Sequence, residues 1–205
     1  MMMMMMMDPL DAVLDEVALE GLDGISIQTL WLRLRSRQPE LGLNLDPLSQ
    51  QFIWSCLIRT AEIRFYLLPE NRRAVTLHDR FVEVDRDTGI QELRELREAE
   101  PLEVYPVSVV TGVAGVQGSC RLFRERVDVS EQTRSAELTL EQVQSRWGER
   151  LVLVASQERR YRALIGAEGN PELKLPDLCY CILERLGRAR WQGELQRDLH
   201  TRIFR

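Results

Sequence analysis

Two Asp-Pro pairs, Asp8-Pro9 and Asp46-Pro47, limit how this chain can fold more than any other feature. An aspartate at the N-cap accepts free amides of the first helical turn. A proline at the first helical position has its φ already set and lacks a donor that the helix would leave unpaired anyway. Each pair therefore fixes the start of a helix. After the first, Leu10, Val13, Leu14, Val17 and Ala18 follow helical spacing, and Gly21 with Asp23-Gly24 marks the stop. Ile25 is placed for a one-residue β-bridge. Ser26 caps a second helix with Ile27, Leu30, Trp31 and Leu34 on its apolar face, and Gln38-Pro39 ends it. After the second pair, Leu48, Phe52, Ile53, Cys56 and Leu57 are read as one side of a third helix. The alternation of Ile63, Phe65 and Leu67 with Arg64, Tyr66 and Leu68 suits a strand, with Val75–Leu77 and Phe81–Val84 as candidate partners before the turn at Asp87-Thr88-Gly89.

Helix, short bridge, two helices and a β-hairpin form the order of a winged helix, a helix-turn-helix variant. The elements that follow are less regular. Gln91–Glu100 is a charged helical piece or linker whose two leucines, Leu93 and Leu96, are too few for a coiled coil. Pro101 and Pro106 mark a boundary. Tyr105–Val110 and Ser119–Phe123 are short β-like runs around Gly112, Gly115 and Gly118, which do not match a phosphate loop. Arg121, Arg124 and Arg126 form a basic patch. Thr139–Trp147 reads as a helix with Thr139 and Gln142 as a capping box. Leu151–Ala155 is an apolar run of the right length for a buried strand, and Tyr161–Ile165 is its expected partner after a turn at Gln157–Arg160.

The closing residues carry the densest basic signal. Pro176 and Asp177 open a helix striped by Leu178, Ile182 and Leu186, and Gly187 is a natural C′ residue. Arg185 and Arg188 sit at the negative end of the helix dipole, a structural use that needs no DNA; Arg188 and Arg190 are also expected to face phosphate while Trp191 buries its ring. Gln192-Gly193 forms a turn, and Leu195 and Leu199 stack on a second helix that carries Gln196, Arg197 and His200 outward. Only Thr201–Arg205 follow, so a base-reading third helix is expected to be missing.

Charge supports this division. Net charge is −5, but Ser145–Arg205 holds twelve basic and eight acidic residues, which gives +4 there and −9 elsewhere. Lys174 is the only lysine. Arginine suits bidentate phosphate and guanine contacts, although a codon-composition bias produces the same skew. The polar positions of the third helix, Ser49, Gln50, Gln51, Ser55 and Arg59, carry little positive charge and are read as a protein contact. Cys56, Cys120, Cys179 and Cys181, with His78 and His200, make no zinc spacing, and no metal or cofactor is expected. The chain has no nucleophile elbow or phosphate loop, so an enzyme is not expected. No apolar run is long enough to span a membrane. Met1–Met7 lacks the features of a signal peptide and is taken as redundant start codons or a disordered tip.

Three runs carry a specific resemblance. They are Leu14–Gly24, Val154–Gln157 with Tyr161–Gly166, and above all Leu173–Leu186 with Arg190–His200. They resemble the amino terminus of the largest, B-block-binding subunits of transcription factor TFIIIC, and the likeness covers Asp8 to about His200. That resemblance implies a nuclear, DNA-binding assembly factor for RNA polymerase III that helps recognise the B block of transfer-RNA gene promoters. The implied partners are double-stranded B-block DNA and other TFIIIC subunits, with no small-molecule substrate. The alternative is a protein scaffold within TFIIIC that does not read DNA by itself.

The expected class is therefore α+β. It comprises a methionine run (1–7), a winged helix (8–90), a charged helix and linker (91–118), and a mixed β/α segment (119–170). The truncated start of a second, B-block-binding winged helix follows (171–205). Candidate DNA contacts are Arg188, Arg190, Trp191, Gln192, Gln196, Arg197 and His200; candidate protein contacts are Ser49, Gln50, Gln51 and Arg59.

Overall fold

The computed structural model describes residues 8–37, 42–71, 81–84, 91–93, 107–109, 116–118, 125–166 and 177–190. In chain order the helices are α1 (Pro9–Leu19), α2 (Ile27–Ser36), α3 (Pro47–Arg59), α4 (Ser130–Ser135), α5 (Leu140–Trp147), α6 (Gln157–Ile165) and α7 (Asp177–Ala189). The strands are β1 (Ile25–Ser26), β2 (Ile63–Leu67), β3 (Phe81–Val84), β4 (Gln91–Leu93), β5 (Val107–Val109), β6 (Val116–Gly118), β7 (Val127–Asp128) and β8 (Leu151–Ala155). The chain is α+β, as expected.

Caps fix the helix starts that the sequence marks. The Asp8 carboxylate accepts from Leu10 N at 3.0 Å, Asp46 from Ser49 N at 2.8 Å and the Ser26 hydroxyl from Thr29 N at 3.3 Å. Thr139 and Gln142 form a reciprocal capping box on α5.

The sheet departs from expectation. Its order is β1-β8-β2-β7, antiparallel throughout. Among the described residues no nearby hairpin strand lies beside β2; it pairs along its whole length with β8, from Ile63 opposite Ala155 to Leu67 opposite Leu151. β1 takes the other edge of β8, with Ile25 opposite Leu153. All five residues of β8 are buried, because it has a strand on each side and helices over its main-core face. Leu151, Leu153 and Ala155 enter the main core, while Val152 meets Leu68 and Tyr66 on the other face. Around them, Trp54 and Phe65 meet edge to face with ring centroids 5.4 Å apart, and Trp54 Nε1 donates to Leu138 O at 2.8 Å.

Strands and core residues from 8–90 and 119–170 thus share one sheet and one hydrophobic cluster. α4 packs on α3 and β2, and α6 packs on α1. The Ser130 hydroxyl accepts from Phe65 N at 2.8 Å, extending the β2 edge beyond β7. Arg134 donates to the carbonyls of Ile58 (3.1 Å) and Thr60 (2.9 Å), which satisfies acceptors freed at the end of α3, and to that of Ile63 at the start of β2.

Other expectations are corrected. Phe81–Val84 is a strand, but it pairs with β4; Gln91–Leu93 is therefore extended rather than helical. β5 falls inside Tyr105–Val110 and pairs with β6. Tyr161–Ile165 is helical, because Ser156 accepts from Arg159 N at 3.2 Å and starts α6. Gly187 does not end the last helix, which runs on to Ala189. A Cβ at Gly187 would sit 2.7 Å from Leu164 Cδ2 and 3.2 Å from Leu19 Cδ2, so glycine there permits close packing of α7 against α1 and α6. Leu48 and Phe52 are 83% and 65% exposed on α3, whereas Ile53 and Leu57 are buried. Residues 1–7, Val75–Leu77, Arg94–Glu100 and Ser119–Phe123 lie outside the described residues.

Candidate functional site

The arginines expected to face DNA point inward. α7 lies against the end of α1, and its basic terminus enters a pocket lined by carboxylates. Arg188 Nη1 meets Asp23 Oδ2 at 3.0 Å, while its Nε and Nη2 donate to Glu20 O at 3.1 and 2.8 Å. Arg190 Nε and Nη2 reach Glu16 Oε2 at 2.9 and 2.8 Å, and Nη2 lies 3.4 Å from Glu20 Oε1. Arg190 also donates to Gly187 O and so helps cap its own helix. Its φ of +57 is uncommon for a non-glycine residue, and the contacts with Glu16 and Glu20 hold it there.

α2 completes the arrangement. Arg33 Nε bonds Glu20 Oε1 at 2.8 Å and its Nη2 donates to Arg188 O at 3.0 Å. Arg37 Nη1 reaches Glu16 Oε1 at 2.6 Å. Three carboxylates (Glu16, Glu20 and Asp23) thus meet four guanidiniums (Arg33, Arg37, Arg188 and Arg190). Arg188 and Asp23 have side chains only 9% and 3% exposed. A buried pair of this kind adds little net stability, but deleting one partner strands the other at a cost of about 3–5 kcal/mol.

The protonation directions follow from the geometry. Burial opposes the Arg188 charge, but Asp23, Glu20 and Glu184 outweigh it and raise its pKa. At Arg190 burial prevails over Glu20 and Glu16, so its pKa is lowered. Glu184 is 1% exposed; burial raises its carboxyl above the usual range, against the pull of Arg188 and of the Leu22 amide. Glu184 Oε1 accepts from Leu22 N at 2.7 Å, and Oε2 has no hydrogen-bond partner among the described residues. Gly21, at φ +76, is required opposite it: a Cβ there would lie 1.8 Å from Glu184 Oε1. Tyr161 of α6 and Tyr180 of α7 stack at 6.5 Å, which adds an aromatic contact to the same joint.

Arg188 and Arg190, expected to face phosphate, have their charge met by carboxylates inside the fold. The signal for this was present in α1 and η1, the 3-10 turn Gly21–Asp23. Glu16, Glu20 and Asp23 recur at helical spacing and are buried, where acids need cationic partners. Trp191, Gln192, Gln196, Arg197 and His200 lie outside the described residues. Arg126, expected in a surface basic patch, donates to Leu22 O at 2.6 Å and stacks 4.0 Å over the Tyr66 ring.

The expected protein-contact residues of α3 divide. Gln51 Oε1 accepts from Leu140 N at 3.2 Å, and Gln50 Nε2 donates to Leu45 O at 3.0 Å, so both serve internal bonds. Ser49 gives its amide to the Asp46 cap, and Arg59 is exposed. Leu48 and Phe52, which helical spacing puts on one side of α3 with Ile53 and Leu57, face outward, with Leu43 nearby in sequence at 38% exposure. Among the described residues no His, Cys, Asp and Glu group is placed to hold a metal ion.

Comparison with known proteins gives two family matches. Residues 6–112 match the winged-helix domain of general transcription factor 3C polypeptide 1, and residues 176–204 match the B-block binding subunit of TFIIIC. The chain is similar to general transcription factor 3C polypeptide 1 of Rattus norvegicus and Mus musculus, each 53% identical over 203 residues, and of Homo sapiens, 51% identical. These alignments cover 97% of this chain and 10% of each relative, so the chain spans about a tenth of their length.

Proposed function

Because the chain belongs to the family of general transcription factor 3C polypeptide 1, we propose that it serves TFIIIC in transcription by RNA polymerase III in the nucleus. In this reading it is not an enzyme. The module that starts at α7 engages the B block of internal promoters in transfer-RNA genes, and the remaining surface meets other TFIIIC subunits. The match of residues 176–204 to the B-block binding subunit carries the reading. With Arg188 and Arg190 engaged internally, Gln192, Gln196, Arg197 and His200 are the candidates for DNA contact, with Trp191 as packing support.

Fluorescence anisotropy with B-block and scrambled duplexes over a salt series tests this. The chain is expected to bind weakly and to prefer the B block. Beyond Arg190 the matched region and its flank offer only Arg197, Arg202 and Arg205 as strong cations. The slope of log K against log salt should therefore be no steeper than about −3, at about −0.9 per phosphate neutralised. Equal affinity for both duplexes would reject sequence-specific reading by this chain.

A second reading, a scaffold role for the N-terminal unit, is favoured by α3. Its only charged residue is Arg59, while Leu48 and Phe52 are exposed. That face suits an apolar protein surface better than a phosphate backbone. Arg59→Glu should then leave DNA affinity unchanged, and a large loss would reject this reading.

A further inference from the structure

We infer that the N-terminal unit sets the orientation of the B-block module, acting on DNA recognition through a buried ionic seat without touching DNA itself. The inference rests on the reading of α7 as the first helix of that module. Within the matched range 176–204, the described residues are held by contacts made far back in the chain. Arg188 is bound by Asp23 and by the Glu20 carbonyl, Arg190 by Glu16, and the Arg188 carbonyl by Arg33 of α2. Glu184 binds the Leu22 amide, and Gly187 lets the helices approach closely.

Three properties make this a positioning device rather than a loose contact. The bonds come from both side chains and backbone, so they fix rotation as well as distance. They sit at the last turn of α7, directly before the residues expected to contact DNA. Their partners belong to α1, η1 and α2, and α1 and α2 pack on β8. A rigid support of this kind is what a precise recognition geometry needs. Glu16, Asp23, Arg188 and Arg190 are thus positioning residues.

The test uses the whole chain with Asp23→Asn and Arg190→Gln, read by amide hydrogen exchange and by B-block and scrambled duplex binding. In the unaltered chain α7 amides should be protected. Either substitution should lower their protection at least about tenfold while β8 amides keep theirs. The B-block-to-scrambled affinity ratio should fall by about tenfold, with no change in salt slope.

A phosphate role predicts different results. Asp23→Asn would then release Arg188 to DNA and raise affinity, and Arg190→Gln would make the salt slope shallower by about 0.9. Either result overturns the inference, as do α7 amides that exchange identically in all three proteins. If Asp23→Asn also loses β8 protection, Arg190→Gln decides, because that side chain lies at the rim with 14% exposure. A chain with no B-block preference at all would defeat the functional reading alone, and the exchange data would still judge the seat.

Discussion

Replacing Leu153 by alanine probes the central claim about the fold, that β8 belongs to the same core as α1–α3. Leu153 is fully buried, lies opposite both Ile25 and Phe65, and enters the main hydrophobic cluster. The substitution removes three carbon groups, worth about 2.4 kcal/mol at about 0.8 kcal/mol each. Strands on both sides and helices above leave little room for collapse, so a cavity term adds to this and brings the expected loss to about 4 kcal/mol. In a chain of this size that lowers Tm by about 8–16 °C. Calorimetry with residue-resolved exchange is the suitable assay. The expected result is one transition at lower temperature, with α1, α2, β2 and α6 losing protection together. A variant in which α4–α6 loosen while α1–α3 keep the original midpoint would refute the single shared core.

Other expectations follow from single groups. The raised Glu184 pKa means that its protonated form favours the fold. That contribution is complete below the unfolded value near 4.5 and is lost as pH rises through the folded value. Glu184→Gln, which keeps an acceptor for Leu22 N, should match the unaltered chain in acid and become relatively more stable toward neutral pH; a loss of stability at neutral pH would mean that attraction to Arg188 prevails over burial. Asp46 shows the opposite sign, since the amides of Ser49 and Leu48 lower its pKa. Its stabilisation is present above the unfolded value and lost as pH falls, so Asp46→Ala should flatten the acid limb of a stability-pH profile. Phe52→Glu should change stability by less than about 0.5 kcal/mol, because the ring is 65% exposed. In a pull-down against the other TFIIIC subunits it should weaken capture, and unchanged capture would remove α3 from the scaffold surface.

The sequence made local punctuation legible and left distant partnership hidden. Asp8, Ser26, Asp46 and Thr139 act within three residues of themselves, so their caps can be read from spacing. Ser156 carries the same signal, but the aromatic and branched residues of Tyr161–Ile165 led to a strand there. The identity of β2's neighbour could not be read locally, because Val75–Leu77 and Phe81–Val84 were equally plausible partners nearer in sequence. The same limit governed the arginines. Arg190 shows its charge in the sequence, but Glu16 lies 174 positions away, and only the fold brings them together. The exposure of Leu48 and Phe52 was hidden for a related reason: helical spacing gives α3 an apolar stripe, and packing selects which part of it faces Phe65 and Leu138.

The place of β8 between β1 and β2 has a consequence for the order of events at the ribosome. Ile25 leaves the exit tunnel roughly 130 residues before Leu153, its eventual neighbour. At translation speeds of about 5–20 residues per second, that gap lasts on the order of ten seconds. Through this interval Ile63 and Phe65 are synthesised without the strand that will cover their edge. Until then that edge of β2 has no β8 to pair with, and an unpaired edge of this kind is one that another chain can join. Arrival of Ala155 completes the strand that closes that edge.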